Sequence, residues 1–260
     1  MKNILITGGN GYIAKELYTA FKDMYSVTCV NRNIFDLSNS YSTRNWFTGK
    51  YFDVVIHTAI RGGSRLVPDD HDVLDNNLKM YYNILDNRDH YDRFINIGSG
   101  AELYMQHTLY GLSKHIIRQS LLNKNNFSNV RIFSIFNENE WETRFIKANI
   151  KRYINKEKMV IFQDKLMDFY YMDDFISLMK YYIENKDAPT EYDCCYQHHL
   201  YLSSIAEKIN NLSDYKVDIE ITDTTQKGED YIGRYVKLPF ELCGIDMGIT
   251  NVYNQLLCKK

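Results

Sequence analysis

The feature that most constrains this chain is one turn near its start. Ile4 to Thr7 is a short apolar run that leads straight into TGGNGYIA, residues 7 to 14, after which Ile13, Leu17 and Phe21 recur at helical spacing. A strand entering a helix through Gly8, Gly11 and Ala14 carries small residues at the first, fourth and seventh positions of the turn. Backbone can then approach a pyrophosphate closely, and the free N–H groups and dipole of the helix N-terminus favour its negative charge. Gly9 and Asn10 supply the turn itself. A glycine-rich turn without a ligand is the alternative, but flanking strand and helix are what the dinucleotide fingerprint demands.

The rest of the chain repeats that rhythm. Val27 to Val30, Val54 to His57, Phe94 to Ile97 and Val130 to Phe136 are further strand candidates. Between them, Val73, Leu74, Leu78, Tyr81 and Leu85 form an apolar helical stripe. Strands alternating with amphipathic helices predict an α/β chain built on a doubly wound parallel sheet. Past Val160 the rhythm weakens. Asp173 or Asp174 caps a helix through Ile183, Ser203 or Ser204 begins another, and Val217 to Ile221 reads as a strand. The expected division is a dinucleotide-binding domain over 1–165 and a smaller C-terminal substrate-binding part over 166–260, with the chain crossing back near 168–195.

Length and charge narrow the function classes. The chain has 260 residues, enough for one α/β domain with an appendage, and its 31 basic and 33 acidic side chains leave a net charge of -2. That balance gives no cationic field for a nucleic-acid backbone. The 5 cysteines are odd in number and lack CxxC spacing, which fits a reducing compartment. No apolar run approaches the roughly 20 residues that span a bilayer, so a soluble, cytoplasmic protein without a membrane partner is expected. His198 and His199 are adjacent and have no second pair at ligand spacing, so no metal site is expected.

Two further places carry chemistry. After the second strand, where a carboxylate would grip the ribose 2′-hydroxyl of NAD, stand Asn31 and Arg32. A guanidinium there suits the 2′-phosphate of NADP(H), although a solvated arginine and an inward-turned Asp36 remain open. Tyr110 and Lys114 lie one helical turn apart, eleven residues after Ser99. A phenol with an ordinary pKa of about 10 exchanges protons poorly at neutral pH, and a neighbouring ammonium favours its phenolate. Tyr18 with Lys22 and Tyr182 with Lys186 share the spacing. Only Tyr110 follows a strand that ends in Gly98, Ser99, Gly100, at the carboxyl edge where such sheets bind ligands. Ser99 would hold a substrate oxygen by hydrogen bond.

With TGGNGYIA and YGLSK in place, the chain resembles the extended short-chain dehydrogenase/reductase superfamily, also called the NAD-dependent epimerase/dehydratase family. HTA at His57 to Ala59, Asp36 with Leu37, Asn77, and DFYYMDD from Asp168 to Asp174 extend the likeness over about 240 residues. The resemblance implies a Rossmann-type fold. It implies that Tyr110 exchanges the proton, Lys114 binds the nicotinamide ribose, Ser99 with Gly100 steadies the substrate, and Asp36 binds adenine. It adds Gly8, Asn10, Gly11, Tyr12, Ile13, Asn31, Arg32, Leu37, Thr58, Ala59 and Asn77 to the cofactor set, and dimers paired through the helices from Val73 and Tyr110.

Within the superfamily the chain is similar to GDP-L-fucose synthase and related sugar-nucleotide 4-keto reductases. Arg32, then Asp36 with Leu37, and Ala59 shortly before Gly62 and Gly63 carry that likeness. Ala101 stands where the synthase has a cysteine, and Arg144 or a neighbour where it has a histidine, so epimerisation by that route is not implied. Glu102 admits two readings, a second acid/base or a solvent-facing turn residue. Ser134, Arg144 and Arg234 complete the expected substrate set. The expected function is NADPH-dependent reduction of the C4 ketone of a nucleotide-linked 4-keto-6-deoxy sugar. A redox-neutral 4-epimerase with bound NAD, and a non-catalytic dinucleotide sensor, are the alternatives.

Overall fold

The computed structural model describes residues 1–64, 67–122 and 124–259. Five strands arise in the first half: β1 (Asn3–Ile6), β2 (Ser26–Cys29), β3 (Phe52–His57), β4 (Tyr91–Ser99) and β5 (Phe127–Ile132). They alternate with α1 (Tyr12–Phe21), α2 (Ser40–Phe47), α3 (Val73–Leu85), the short α4 (Ala101–Tyr104) and α5 (Leu109–Leu121). Then come β6 (Ile135–Phe136), α6 (Phe145–Ile154), β7 (Met159–Ile161), β8 (Tyr170–Tyr171), α7 (Met172–Glu184), β9 (Glu191–Cys194), α8 (Leu202–Asn210), β10 (Ile219–Ile221) and α9 (Gly244–Cys258).

The main sheet has six strands in the order β2-β1-β3-β4-β5-β9. Ile4 pairs with Val27 on one side and Val54 on the other, and Val55 pairs with Phe94, all in parallel. Parallel neighbours need crossover connections, which bury both faces of the sheet. Ile4, Leu5, Ile6, Val55 and Ile56 are accordingly inaccessible to solvent. The helical stripes read from the sequence are the faces that close over them: α1 buries Ala14, Leu17 and Phe21, and α3 buries Val73, Tyr81 and Ile84. Each large side chain so buried contributes about 2 kcal/mol of transfer free energy.

The apolar run Val130 to Phe136 is not one strand. β5 ends at Ile132, and Ile135–Phe136 forms a separate ladder with Tyr170–Tyr171. β5 is buried throughout, and Ile132 with Phe133 before the bend and Ile135 with Phe136 after it are alike apolar, so periodicity cannot reveal the break. The chain divides there into two compact units, residues 1–131 with 179–192, and residues 132–178 with 193–260. The second unit has its own core around Phe136, Ile150, Tyr153, Phe169, Ile205 and Val252, where α6 packs on α8 and α9. Among the described residues no helix is long and apolar enough to cross a membrane.

Candidate active site

The sheet reverses its order at β1, between β2 and β3, and a crevice opens at that point on the carboxyl edge as the topology requires. A cavity of about 340 Å³ lies there, within the first unit. Gly8, Asn10, Gly11, Asn31, Arg32, Asp36, Leu37, Thr58 and Ala59 line it. Gly8 adopts φ +71°, and a Cβ on it would sit 2.8 Å from both Cα and N of Ala59, so only glycine passes between β1 and β3. Gly11 precedes α1 without a side-chain cap, and the first turn holds no acidic residue. Neither a cap side chain nor a first-turn carboxylate therefore covers the positive end of the α1 dipole. This cradle fits the pyrophosphate of a dinucleotide.

The outer rim of the cavity is polar and tied together. Asn31 Nδ2 donates to Asn10 Oδ1 at 3.1 Å, which joins the end of β2 to the glycine turn. Arg32 pairs with Asp36 at 3.2 Å. Asp36 also accepts from the amide and hydroxyl of Ser38, and the Ser38 hydroxyl, ahead of Arg32, holds its carboxyl below the usual range. Tyr12 and Ile13 lie in the first turn of α1 and are not among the lining residues. Sequence reasoning missed Phe35, Ile60, Arg61, Asn76 and Met80 in the wall. Asn76 and Met80 stand one helical turn apart on α3, a signal hidden beneath the stronger apolar stripe beside them.

Asn77 does not reach the cavity. It is fully buried, its Nδ2 donating to the Arg61 carbonyl and the Ser113 hydroxyl at 3.0 Å each, while its Oδ1 accepts from Arg61 N at 2.8 Å. It fastens the wall residue Arg61 to α3 and α5, as a brace behind the wall.

Beside the cavity, β4 ends at Ser99, whose hydroxyl accepts from Ala101 N at 3.2 Å. Gly100 follows and is buried. Thr108 caps α5 by accepting from Gly111 N at 3.0 Å, and Tyr110 lies in the first turn. Lys114, one turn on, is buried and donates to the Ile97 carbonyl of β4 at 2.5 Å. Burial pushes its ammonium down to about 8, against the opposing pull of Glu102. His57 hydrogen-bonds Thr7 Oγ1 at 2.9 Å, and burial, then the Lys114 charge, holds it at about 3, so it stays neutral. The loop after β3 runs from Arg61 in the cavity wall to Gly63, which lies against the Tyr110 ring. Cavity and tyrosine are thus neighbours through three residues of chain.

Glu102 is buried, against the solvent-facing reading. Its side chain is wholly inaccessible, bonded to Arg131 Nε and to Asn129 Nδ2, the latter at 2.8 Å. Arg131 continues to Glu191 at 2.9 Å, and Arg118 Nε meets Glu191 at 2.5 Å. Burial pushes the Glu102 carboxyl upward, opposed by Arg131. It is not a solvent-facing turn glutamate: Arg131 and Asn129 take up Oε1, and Ser99 N lies 3.5 Å from Oε2. It buttresses α4 on β5.

The second unit carries the other expected substrate residues. Ser134 is buried, and its carbonyl accepts from Tyr170 N at 2.9 Å in the ladder between β6 and β8. Arg144 stands at the N-cap position of α6 without a side-chain cap bond, its guanidinium 5.9 Å over the Trp141 ring. Arg234 donates its amide to Asp193 at 2.7 Å. Nearby, Asp168 takes His199 Nδ1 at 2.8 Å and Gly233 N at 2.7 Å, an imidazole–carboxylate pair that the sequence did not suggest because the partners are 31 residues apart.

Comparison with known proteins matches residues 4–195 to a family described as the NAD dependent epimerase/dehydratase family. No curated protein sequence matches the chain. Among solved structures, a GDP-L-fucose synthetase from Naegleria fowleri bound to NADP is 16% identical, with 99% of this chain and 93% of that chain covered and a TM-score of 0.75. A GDP-mannoheptose C4 reductase from Campylobacter jejuni with NADP bound is 15% identical over 98% of each chain, with a TM-score of 0.74. A UDP-glucuronic acid 4-epimerase mutant from Bacillus cereus, in complex with a fluorinated UDP-sugar and NAD, is 16% identical over 99% of this chain and 100% of that chain, with a TM-score of 0.76.

Proposed function

We propose, from the premise that this chain belongs to the NAD dependent epimerase/dehydratase family, that it is an NADPH-dependent reductase of the C4 ketone of a nucleotide-linked 4-keto-6-deoxy sugar. The observation that carries the reading is the placement of Lys114. Its ammonium is fixed on the Ile97 carbonyl, one helical turn from Tyr110, at the edge of the sheet where the cavity opens. NADPH, when bound, supplies the hydride that makes the new C–H bond. Tyr110 gives its hydroxyl proton to the carbonyl oxygen as the C=O π bond breaks, and Ser99 orients that oxygen. Lys114 stays protonated at neutral pH, holding the nicotinamide ribose and steadying the phenolate left on Tyr110. The GDP-L-fucose synthetase and the GDP-mannoheptose C4 reductase described above, the second acting at C4 of a GDP-sugar by its name, support the substrate class.

Asp36 favours a second reading. It neutralises Arg32 at the cavity rim, which weakens the claim of that guanidinium on a 2′-phosphate. A redox-neutral 4-epimerase that retains NAD would suit such a rim. The deciding experiment is NADPH oxidation with freshly generated GDP-, dTDP-, UDP- and CDP-4-keto-6-deoxyhexoses, with Tyr110→Phe alongside. The reductase predicts turnover with at least one substrate, lowered about 10²–10⁴-fold in the variant while NADPH still binds. Interconversion of two sugar nucleotides without added reductant would instead establish the epimerase.

A further inference from the structure

We propose that Asp69 is the positioning residue for Tyr110. Its carboxylate bridges two backbone amides, Oδ1 accepting from Gly63 N at 2.8 Å and Oδ2 from Tyr110 N at 3.0 Å. The inference rests on the reading of Tyr110 as the proton donor, and it concerns how the ring is held.

The first amides of a helix have no partner within it. In α5, Thr108 satisfies Gly111 from within the same turn, whereas Tyr110 is satisfied by a residue 41 positions earlier. A carboxylate at that end is also favoured by the helix dipole. The chain is shaped to deliver the second amide. Gly62 and Gly63 adopt φ +81° and +75°, in the left-handed region that side chains disfavour. A Cβ on Gly62 would lie 2.6 Å from Asp69 Oδ1, and one on Gly63 would lie 2.8 Å from Cζ of Tyr110. Two successive glycines therefore bring an N–H to the carboxylate and leave bare backbone against the phenol ring. On either side of this clamp, Arg61 binds Asp72 at 2.7 Å and Asp70 at 3.0 Å. The loop after β3 is thus fastened a second time to the segment that carries Asp69.

The chemistry of the clamp requires a carboxylate. Two N–H donors converge on it, and an amide side chain offers one acceptor oxygen and a donor that would face the other N–H. Asparagine is therefore predicted to fail nearly as badly as alanine. Misplacement of a reacting group by about 1 Å is enough to lower turnover by up to 10²-fold.

The test places 3-fluorotyrosine at position 110 and records ¹⁹F spectra of the full chain, the Asp69→Asn and Asp69→Ala variants, and Thr108→Ala, which removes the local cap and its bond to the Met105 carbonyl but leaves the Asp69 clamp intact. The expected result is one resonance in the parent and in Thr108→Ala, shifted or broadened in both Asp69 variants. Unchanged spectra in the Asp69 variants, or an equal change in Thr108→Ala, would overturn the proposal. With an active substrate in hand, Asp69→Asn is expected to lower kcat about 10-fold without altering the KM for cofactor, and to add nothing on a Tyr110→Phe background. An unaltered kcat would also overturn it. If the parent turns over no keto sugar, the reductase reading fails while the ¹⁹F result still decides the role of Asp69.

Discussion

Two glycine loops leave the carboxyl edge of the same sheet, one after β1 and one after β3, and they are tight for different reasons. Gly8 is pressed against the backbone of Ala59, which belongs to the neighbouring chain path and cannot yield without parting β1 from β3. Gly63 is pressed against the ring of Tyr110, a side chain that can swing away. The first constraint belongs to the fold and serves any dinucleotide-binding sheet. The second belongs to the chemistry, because the thing displaced is the proposed proton donor.

Substitution at the first loop is expected to have the largest effect. Gly8→Ala combines an unfavourable φ with a backbone clash, so cofactor affinity should fall at least about 100-fold. Calorimetric titration with NADPH checks this, and near-normal binding would dissolve the distinction between the loops.

Lys114 sharpens the comparison from the chemical side. Its folded pKa is lowered from 10.5 to about 8, mainly by burial. As pH falls from about 10.5 to 8 the unfolded chain takes up the proton first, so the fold loses stability over that window and does not regain it below. At about 1.4 kcal/mol per unit, the ammonium costs about 3 kcal/mol at neutral pH. Lys114→Met should then be more stable than the parent at pH 7 and no more stable above pH 10.5, as measured by urea unfolding at the two pH values. Turnover of the parent should decline above pH 8 as the ammonium is lost.

Gly63→Ala is expected to be milder. The ring can move aside, so kcat should fall about 10-fold with cofactor affinity unchanged in the same titration used for Gly8. A loss of binding equal to that of Gly8→Ala would show that both loops serve the fold alike. The smallest effect is expected at the rim. Arg32 is largely exposed and already paired with Asp36, so Arg32→Ala should narrow the preference for NADPH over NADH by no more than about 10-fold, a change of about 1.4 kcal/mol in relative affinity.

The pyrophosphate turn was legible because its parts are consecutive. Gly8, Asn10 and Gly11 line the cavity as their order in TGGNGYIA implied, and Asn31, Arg32, Asp36 and Leu37 meet them because parallel pairing of β1 with β2 leaves their ends side by side. Lys114 was placed one turn from Tyr110 by helical spacing alone. The surroundings of Glu102 and Asn77 were illegible for the opposite reason. Each is a polar residue whose partners, Asn129 and Arg131 for one and Arg61 and Ser113 for the other, lie 16 to 36 positions away. Nothing local distinguishes such a residue from one at the ligand.

By itself the sequence determined the parallel sheet, the dinucleotide turn and the tyrosine–lysine helix, since each depends on period and spacing within a few residues. Tertiary structure alone decided that Asp69 closes on Tyr110, that Glu102 is sealed beneath β5, and that the apolar run after Val130 bends into a second unit at residue 132. Those outcomes depend on which distant groups share a buried space. There a hydrogen bond or charge left unmatched costs about 1–3 kcal/mol or more, so the final partners are chosen by the packed fold and not by their place in the chain.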